Sequence, residues 1–359
     1  MLREIKIGDK IIGDGHRVCI VAEIGVNHNG DPAIAERLIR AAASAGADAV
    51  KFQTFKAEGL VAKDTSKDRY MKAETGSGET MYEMFKKLEL PKESYPALKS
   101  MAESMGLIFF SSPFDEEAAD FLFDIGVAVF KIASAEITNL PMIKYIGQKG
   151  LPVILSTGMS TLDEVKAAVK TLLNAGCKEI ILLHATISHP AQKNDLNLRA
   201  IGTLKAEFDC PVGYSDHTDD ALVPCLAVAS GAILIEKHFT LDRAMSGPDH
   251  CHSMNPKEME EMVKAIRDTE IMLGTSYKSF VKAEEEVRVL ARRSVVARGD
   301  ISKGTRIEPS MITTKRPGTG IQPADIDAVS GRLALVDIAG DEVIRWDMLA
   351  PDKIIQGLG

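Results

Sequence analysis

The sequence predicts a (β/α)8 barrel followed by a smaller domain of short β-strands. Short apolar segments rich in Val, Ile and Phe occur eight times in the first three quarters of the chain, and a helix-compatible stretch follows each of them. The repeat closes at about 250 residues, the usual size of such a barrel. Continuously apolar strands joined by helices form parallel sheets. An open doubly wound sheet is the structural alternative.

Eight segments are the predicted barrel strands: 18–27, 49–55, 107–114, 129–136, 152–159, 179–186, 211–218 and 233–240. The amphipathic or Ala-rich segments between them are predicted helices, and several begin with Asp, Pro or Thr, as helix starts do. They include 31–45, 115–125, 161–174 and 256–271. The long polar segment 56–90 is interpreted as a functional or mobile loop.

The character of the sequence changes after residue 277. We expect a barrel domain over 1–277 and a linker over 278–293, where Lys282 to Arg293 is strongly charged. Short β-type runs broken by Gly and Pro then predict a small second domain over 294–359.

Composition narrows the class of protein. The 359 residues are 45% hydrophobic and 26% charged, with a formal net charge of −8, which argues against broad contact with nucleic acid or anionic membrane. The sequence shows no apolar run of signal-peptide or membrane-span length, so we expect a cytoplasmic protein. Its five cysteines lack CxxC spacing, which predicts neither a disulfide framework nor a zinc knuckle.

Polar side chains stand at the ends of the predicted strands, where a barrel of this kind has its active site. They are Glu23, Lys51, Gln53, Ser112, Lys131, Ser134, Glu136, Ser156, Ser215, His217 and His238. Two ammonium groups among several hydroxyls could surround a compact anion such as a phosphorylated substrate. Two imidazoles on adjacent strands could hold a metal ion with open positions for substrate.

Structural roles are the alternative for the same residues. A single strand-end histidine is commonly a hydrogen-bonded structural residue, and rim lysines and serines commonly face solvent. Glu23 and Glu136 could be ion-pair partners of the lysines. Asp249, which follows Gly247-Pro248, could be a turn residue.

Eight motifs together resemble one known family over nearly the whole chain. They are AEIGVNHNG, KFQTF, SSPFD, KIASAE, LSTGM, YSDHT, EKHFTLD and GPDH. In order and spacing they resemble those of the bacterial sialic acid synthases and their legionaminic, pseudaminic and spore-coat relatives. The tail from Arg292 through Ile321 is similar to that family's antifreeze-like (SAF) domain.

The resemblance implies a phosphoenolpyruvate-dependent synthase that makes a nine-carbon, sialic-acid-like sugar acid from an open-chain N-acetylhexosamine-type sugar. Carbon 3 of phosphoenolpyruvate attacks the aldehyde, water adds at carbon 2, and phosphate leaves by C–O cleavage. The resemblance also implies a divalent ion, typically Mn²⁺ with Mg²⁺ or Co²⁺ as alternatives, and a domain-swapped homodimer.

Residue roles follow from the resemblance. The positions that match its phosphoenolpyruvate contacts are Lys51, Ser112, Lys131, Ser134, Ser156 and Ser215. Those that match metal ligands are His217 and His238, and those that match the active-site carboxylates are Glu23, facing the sugar, and Glu136, orienting water. The positions that match sugar contacts are Gln53, His189, Asp249 and Arg316, the last reaching over the barrel mouth of the partner subunit.

One segment departs from the family pattern. Ile187 stands where the family has a polar phosphoenolpyruvate contact, and His189 stands where it has a tyrosine facing the sugar. These differences leave the sugar open. Cys251 and His252, after GPDH, are also unusual, and we interpret them as loop residues without a direct role.

Other functions remain as hypotheses at this point. A synthase of an eight- or seven-carbon sugar acid would use the same chemistry but lacks the antifreeze-like domain. A class I aldolase would use Lys131 or Lys237 as a Schiff-base nucleophile. A non-catalytic barrel that binds through its tail is the third alternative, against which the intact lysine, carboxylate and histidine set argues.

Overall fold

The computed structural model of the chain describes residues 4–67, 69–76, 78–188 and 190–351. These form two compact units, Met1–Gly274 and Thr275–Gly359.

The first unit is a closed parallel barrel preceded by a hairpin. The hairpin strands are β1 (Glu4–Ile7) and β2 (Lys10–Gly13), and the barrel strands are β3 (Cys19–Gly25), β4 (Ala49–Thr54), β5 (Ile108–Pro113), β6 (Phe130–Ile132), β7 (Val153–Ser156), β8 (Ile180–Ala185), β9 (Val212–Asp216) and β10 (Leu234–His238). Neighbours follow sequence order, and β10 pairs with β3 to close the barrel. Each barrel strand lies within a predicted segment, which confirms the predicted fold.

Helices surround the barrel between successive strands. They are α1 (Pro32–Ser44), α2 (Ala57–Leu60), α3 (Arg69–Thr75), α4 (Met81–Leu88), α5 (Tyr95–Ser104), α6 (Glu116–Asp124), α7 (Leu140–Gly147), α8 (Leu162–Asn174), α9 (Ala200–Phe208), α10 (Leu222–Ala229) and α11 (Pro256–Leu273). Thr161 and Asn255 begin α8 and α11 with capping boxes, since each side chain accepts a backbone hydrogen bond three residues on. Among the described helices, none combines the length and apolar character that a membrane crossing needs.

The segment 56–90 is folded, so its interpretation as a loop was wrong. It contains α2, α3 and α4, and α4 begins with a capping box between Thr80 and Glu83. Met84 and Leu88 pack with Val26 and Phe55 in a small apolar cluster beside the end of β3. The helices α2 and α3 are short and carry few apolar residues, which hid them in the sequence. In contrast, α4 has Met81, Met84 and Leu88 at helical spacing after Thr80, a signal that could have predicted it.

The hairpin was not predicted, because its short strands read as mixed polar sequence. Ile5 and Ile7 are buried while Glu4 and Lys6 on the alternating positions are exposed. The buried hairpin residues join a cluster of side chains from the early parts of the barrel strands, including Val21, Ala49, Ile108, Val129 and Leu234. The hairpin therefore fills the amino-terminal end of the barrel, and ligands must enter at the opposite end.

Ile7→Ala is expected to lower the free energy of unfolding by roughly 2–4 kcal/mol, because it leaves a cavity where a side chain is 1% exposed. Urea unfolding followed by circular dichroism measures the change. Ile11→Ala in the same hairpin is the matched control, since Ile11 is 47% exposed and its loss should change stability by about 0.5 kcal/mol or less. Equal effects of the two substitutions would contradict the packing of the hairpin into the barrel.

The second unit has short elements around its own core. Its regular elements are α12 (Glu285–Ala291), β11 (Ser294–Ala297), β12 (Ile312–Lys315) and α13 (Ile326–Val329), with β11 and β12 antiparallel. Val295, Ile307, Ile321 and Ile344 are among its buried core residues. This is the short-stranded second domain that the sequence predicts.

Candidate active site

Strand register brings the polar strand ends together at the carboxyl end of the barrel. Side chains alternate along a strand, so Glu236 and His238 of β10 share one face. Glu23 on β3 is directly paired with Lys51 on β4 and with His238 on β10. Closure of the barrel between β10 and β3 therefore places residues from the two ends of the sequence side by side.

Lys51 lies between two carboxylates inside the barrel mouth. Its Nζ is 2.9 Å from Glu23 Oε2 and 3.1 Å from Glu236 Oε1. All three residues are buried, with Glu23 fully enclosed. Because an ammonium group has three donors, Lys51 keeps one for a ligand while it holds both carboxylates.

Lys131 reaches the same carboxylate from the other side. Its Nζ lies 3.7 Å from Glu236 Oε1 and donates a 2.8 Å hydrogen bond to Ser156 Oγ. Ser215 Oγ donates to Glu236 Oε1 at 3.0 Å. The two ammonium groups thus converge on Glu236, which sequence analysis did not assign to the site. The alternation of Glu236 with His238 on one strand face is the signal that could have found it.

Burial and the neighbouring charges shift the pKa values of these groups in opposite directions. Burial lowers the pKa of Lys51 to about 8, and it also lowers the pKa of Lys131, although Glu236 opposes both shifts. Burial by itself would raise the pKa of Glu236, but the attraction of Lys131 and Lys51 outweighs it and holds that pKa at about 2. At neutral pH the site therefore holds an ionised Glu236 beside a cationic Lys51.

Ser112 Oγ and Glu236 Oε2 are among the buried polar atoms that have no hydrogen-bond partner within the described residues. Buried polar atoms are almost always satisfied in folded proteins, so atoms such as these are typical of a ligand site. Ser112 is paired in register with Gln53, on the strand that also carries Lys51.

Glycine at position 25 permits a close contact between two predicted site residues. Gln53 Nε2 donates a 2.9 Å hydrogen bond to Glu23 Oε1. A Cβ at Gly25 would lie 2.1 Å from Glu23 Oε1 and 2.7 Å from Gln53 Nε2. Only glycine leaves room for this pair, which fixes Glu23 toward the mouth.

His217 and His238 lie side by side, with ring centroids 5.4 Å apart and planes inclined at 54°. His238 Nδ1 is 3.7 Å from Asp249 Oδ2. Two imidazoles with a nearby carboxylate form a donor set that suits first-row divalent ions such as Mn²⁺, with positions left for water or substrate. The residues present therefore fit the metal that the sequence implies.

The loop after β10, which carries Asp249, is fixed by hydrogen bonds to the barrel. Ser253 Oγ donates to the Asp249 carbonyl at 2.6 Å and accepts from Asn27 Nδ2 at 2.8 Å. His250 shares a 2.7 Å hydrogen bond with Thr240. The motif GPDH is thus anchored at its base, and Asp249 is positioned rather than left in a free turn.

Four predicted site residues remain: Ser134, Glu136, His189 and Arg316. Glu136 is in a 3-10 turn just after β6, partly exposed, and accepts a 2.8 Å hydrogen bond from Asn139. Ser134 Oγ in the same turn accepts from Gly158 N at 3.0 Å. His189 lies outside the described residues. Arg316 is exposed in the second unit.

Ile187 fills a space beside the predicted anion contacts. A Cβ at Gly158 would lie 2.5 Å from Ile187 Cγ1 and 2.9 Å from Ser134 Oγ. Ile187 therefore packs on Gly158 next to Ser134, so an apolar surface occupies this part of the rim.

A closed parallel barrel whose mouth gathers buried lysines, carboxylates and paired imidazoles is the architecture of an enzyme. Residues 38–278 match the NeuB family and residues 292–350 match the SAF domain. The chain belongs to the NeuB family.

Individual relatives agree with this assignment. The N,N'-diacetyllegionaminic acid synthase of Legionella pneumophila is 45% identical, over 95% of this chain and 97% of its own. The synthase of the same name from Campylobacter jejuni is 42% identical, over 92% of this chain and 99% of its own. A crystal structure of the N-acetylneuraminic acid synthetase of Leptospira borgpetersenii, in complex with citrate, superposes with a TM-score of 0.71 at 36% identity, covering 80% of this chain and 95% of that one. The protein is therefore an enzyme of the acid synthase class.

Proposed function

We propose that this enzyme condenses phosphoenolpyruvate with the open-chain form of an acetamido sugar and water, giving a nine-carbon sugar acid and inorganic phosphate. The observation that carries the proposal is the pair of buried ammonium groups of Lys51 and Lys131, which converge inside the barrel mouth. A small molecule with a carboxylate and a phosphate matches this charge, and buried cations bind such groups strongly. Membership of the NeuB family supports the same reaction.

The proposed reaction balances without an external oxidant or reductant. Carbon 3 of phosphoenolpyruvate forms a bond to the sugar aldehyde, whose oxygen takes up a proton. Water adds at carbon 2, and the C–O bond to phosphate then breaks. Lys51, Lys131 and the hydroxyls of Ser112, Ser134, Ser156 and Ser215 hold the phosphate and carboxylate.

The carboxylates and the sugar contacts have separate roles in the proposal. Glu23, fixed by Gln53, faces the sugar, and Asp249 binds its hydroxyls. Glu136 orients the water or accepts its proton, a role compatible with its partial exposure. Glu236 opposes the lowering of the Lys51 and Lys131 pKa values by burial and so favours their cationic forms.

His217 and His238 would hold a divalent ion, for which Mn²⁺ is proposed and Mg²⁺ or Co²⁺ are the alternatives. When bound, such an ion polarises the sugar aldehyde and stabilises its developing negative charge. His238 is paired with Glu23 in strand register. The proposed metal ligand and the carboxylate that faces the sugar therefore lie next to each other in the barrel mouth.

The proposed sugar is a diacetamido hexose, the precursor of a legionaminic-type acid. The two named synthases of that acid support this choice over N-acetylmannosamine.

Release of phosphate from phosphoenolpyruvate tests the proposal. Purified protein with Mn²⁺ should release phosphate with the diacetylated precursor of legionaminic acid. Little release is expected with N-acetylmannosamine, the pseudaminic acid precursor, or phosphorylated arabinose or erythrose. Oxygen-18 in the bridging position of phosphoenolpyruvate should appear in the phosphate, as C–O cleavage requires. Release with a phosphorylated pentose alone would identify a different sugar-acid synthase.

Arg316→Ala is expected to raise the KM for the sugar by about tenfold, the usual loss for one charge-assisted hydrogen bond, with a smaller change in kcat. The proposal is that Arg316, which is exposed, covers the barrel mouth of the partner subunit in a swapped homodimer. Exposed Val287 and Leu290 on α12 support self-association. Steady-state kinetics measure the KM, and light scattering measures whether the protein is a dimer. Arg345→Ala, which removes an exposed arginine of the same unit, is the control. An unaltered KM in Arg316→Ala, or a monomer in solution, would contradict the proposed role of Arg316.

A further inference from the structure

Three side chains with metal-binding atoms meet at one side of the barrel mouth, apart from the residues assigned to the reaction. They are Glu74 on α3 and Cys251 and His252 in the loop after β10. A carboxylate oxygen, the thiol sulfur and an imidazole nitrogen all lie within 4.8 Å of one another. We propose that these residues form a binding site for a thiophilic divalent cation of the zinc type.

The distances suit a tetrahedral ion after small side-chain movements. Zinc bonds of about 2.0–2.3 Å to N, O and S place ligand atoms about 3.5 Å apart. Glu74 is exposed, so rotation of its side chain closes the remaining gap. Three protein ligands leave one position for water, which is typical of an accessible site and differs from a closed structural site. Within the part of the chain that the structure describes, this is the one cluster of three such groups.

Both halves of the cluster are held in place by contacts that do not involve the cation. The loop that carries Cys251 and His252 is tied down on each side, since His250 bonds to Thr240 and Ser253 bonds to Asn27. A metal site needs such support from surrounding groups to keep its ligands oriented.

The helix that carries Glu74 is anchored as well. Met71 packs against the apolar cluster of Val26 and Met84, and buried Lys67 donates a 2.8 Å hydrogen bond to Thr75. The approach of Glu74 to Cys251 therefore follows from two independently fixed elements.

The ligand types select a different metal from the paired imidazoles at the mouth centre. A thiolate prefers zinc, cobalt or copper to manganese or magnesium. His217 and His238 offer nitrogen only, with a carboxylate nearby. The metal–sulfur bond, which only the Cys251 site can form, should therefore distinguish the two sites.

Without a cation, Cys251 and Glu74 share a hydrogen bond, and a bound metal must displace the thiol proton. Burial, followed by this hydrogen bond and the negative charge of Glu74 and Asp249, raises the pKa of Cys251 to about 12. The same negative charges attract a cation, and metal binding removes the proton as zinc does from cysteines in general. The local charge thus opposes the free thiolate but favours the metal-bound one.

A cation at this position would join α3 to the loop that carries Asp249. The segment containing α2 to α4 would then be fastened beside the proposed sugar pocket. The consequence is a metal-dependent ordering of one wall of the mouth, which does not depend on the identity of the sugar or on the proposed reaction.

Cobalt titration of the full-length protein tests the site directly. A Co²⁺–thiolate bond gives a charge-transfer band in the near ultraviolet, and we expect this band at one equivalent and its loss on addition of zinc. Cys251→Ser should abolish it. His252→Ala and Glu74→Gln should weaken Co²⁺ binding by at least the roughly 10- to 100-fold that loss of an outer-shell partner causes. Cys225→Ser, another partly exposed cysteine, and a His217→Ala/His238→Ala double variant should keep the band.

Limited trypsin digestion gives a second readout. Lys72 on α3 is exposed, and zinc should slow cleavage there in the original protein but not in Cys251→Ser. Addition of a chelator should restore the rate. Absence of the cobalt band, its persistence in Cys251→Ser, or equal zinc protection in both proteins would overturn the proposal. Each of these results leaves the synthase activity to be judged by its own assay.

Discussion

His217→Ala is expected to lower turnover by about a thousandfold or more while the barrel stays folded. A bound divalent ion stabilises negative charge on the aldehyde oxygen by several kcal/mol, and each 1.4 kcal/mol is about tenfold in rate. The ring of His217 lies 5.4 Å from that of His238, so loss of either imidazole leaves one nitrogen ligand. Steady-state kinetics with added Mn²⁺ measure turnover, and calorimetric titration with Mn²⁺ measures metal affinity.

A double variant of the two histidines tests the shared metal site more directly than either single substitution. Because both residues are proposed to hold one ion, the double variant His217→Ala/His238→Ala should be little worse than His217→Ala. His16→Ala removes an exposed histidine that bonds to Glu4 on the hairpin and should leave both measurements unchanged. Undiminished Mn²⁺ affinity and turnover in His217→Ala would remove the metal from the proposed site.

The barrel could be predicted because its strands are buried on both faces. Segments such as Cys19–Gly25 and Ile180–Ala185 are continuously apolar, and each gives way to a helix with a clear start. The strand ends could also be predicted, since a closed parallel barrel puts every carboxyl end at one rim. The convergence of Lys51 and Lys131 follows from this rule together with strand alternation.

Other features could not be predicted, because they depend on contacts between residues that are distant in the sequence. Glu236 shares a strand face with His238, but no local pattern records its contact with Lys51, which is 185 residues away in the sequence. The hairpin and α3 are short elements whose apolar residues become informative only when their packing partners are known. Cys251 and His252 are interpreted as loop residues from the sequence, which does not show that Glu74 is their neighbour in space.

Lys51→Met is expected to reduce kcat/KM for phosphoenolpyruvate by roughly 30- to 4,000-fold, the equivalent of about 2–5 kcal/mol for a buried charged contact. The substitution also leaves Glu23 and Glu236 without their shared cation and should lower stability by about 3–5 kcal/mol. Kinetics below the unfolding temperature and urea unfolding measure the two effects.

Lys237→Met is the matched control for the loss of a buried lysine. Lys237 is 1% exposed and lies 2.7 Å from Asp216, but it alternates with Glu236 and faces away from the mouth. The Lys237→Met variant should lose stability as Lys51→Met does, but its KM for phosphoenolpyruvate should stay within about twofold of that of the original protein. The same orientation argues against Lys237 as a Schiff-base nucleophile.

The pKa of Lys51 predicts opposite pH dependences for binding and for stability. Because this pKa is about 8, phosphoenolpyruvate meets a neutral amine above that pH, and kcat/KM should fall about tenfold per pH unit. The unfolded chain, with a lysine pKa of 10.5, binds more protons than the folded one between pH 8 and 10.5, so the contribution of Lys51 to stability rises with pH in that window.

The kinetic profile can separate a lysine that binds substrate from one that only supports the fold. Bound phosphoenolpyruvate adds negative charge beside Lys51 and raises its pKa in the complex, so kcat should stay constant to a higher pH than kcat/KM. Lys51→Met should lack the alkaline fall assigned to this residue, whereas Lys237→Met should retain it. A kcat/KM that stays level up to about pH 9 in the original protein would mean that the Lys51 ammonium does not contact the substrate.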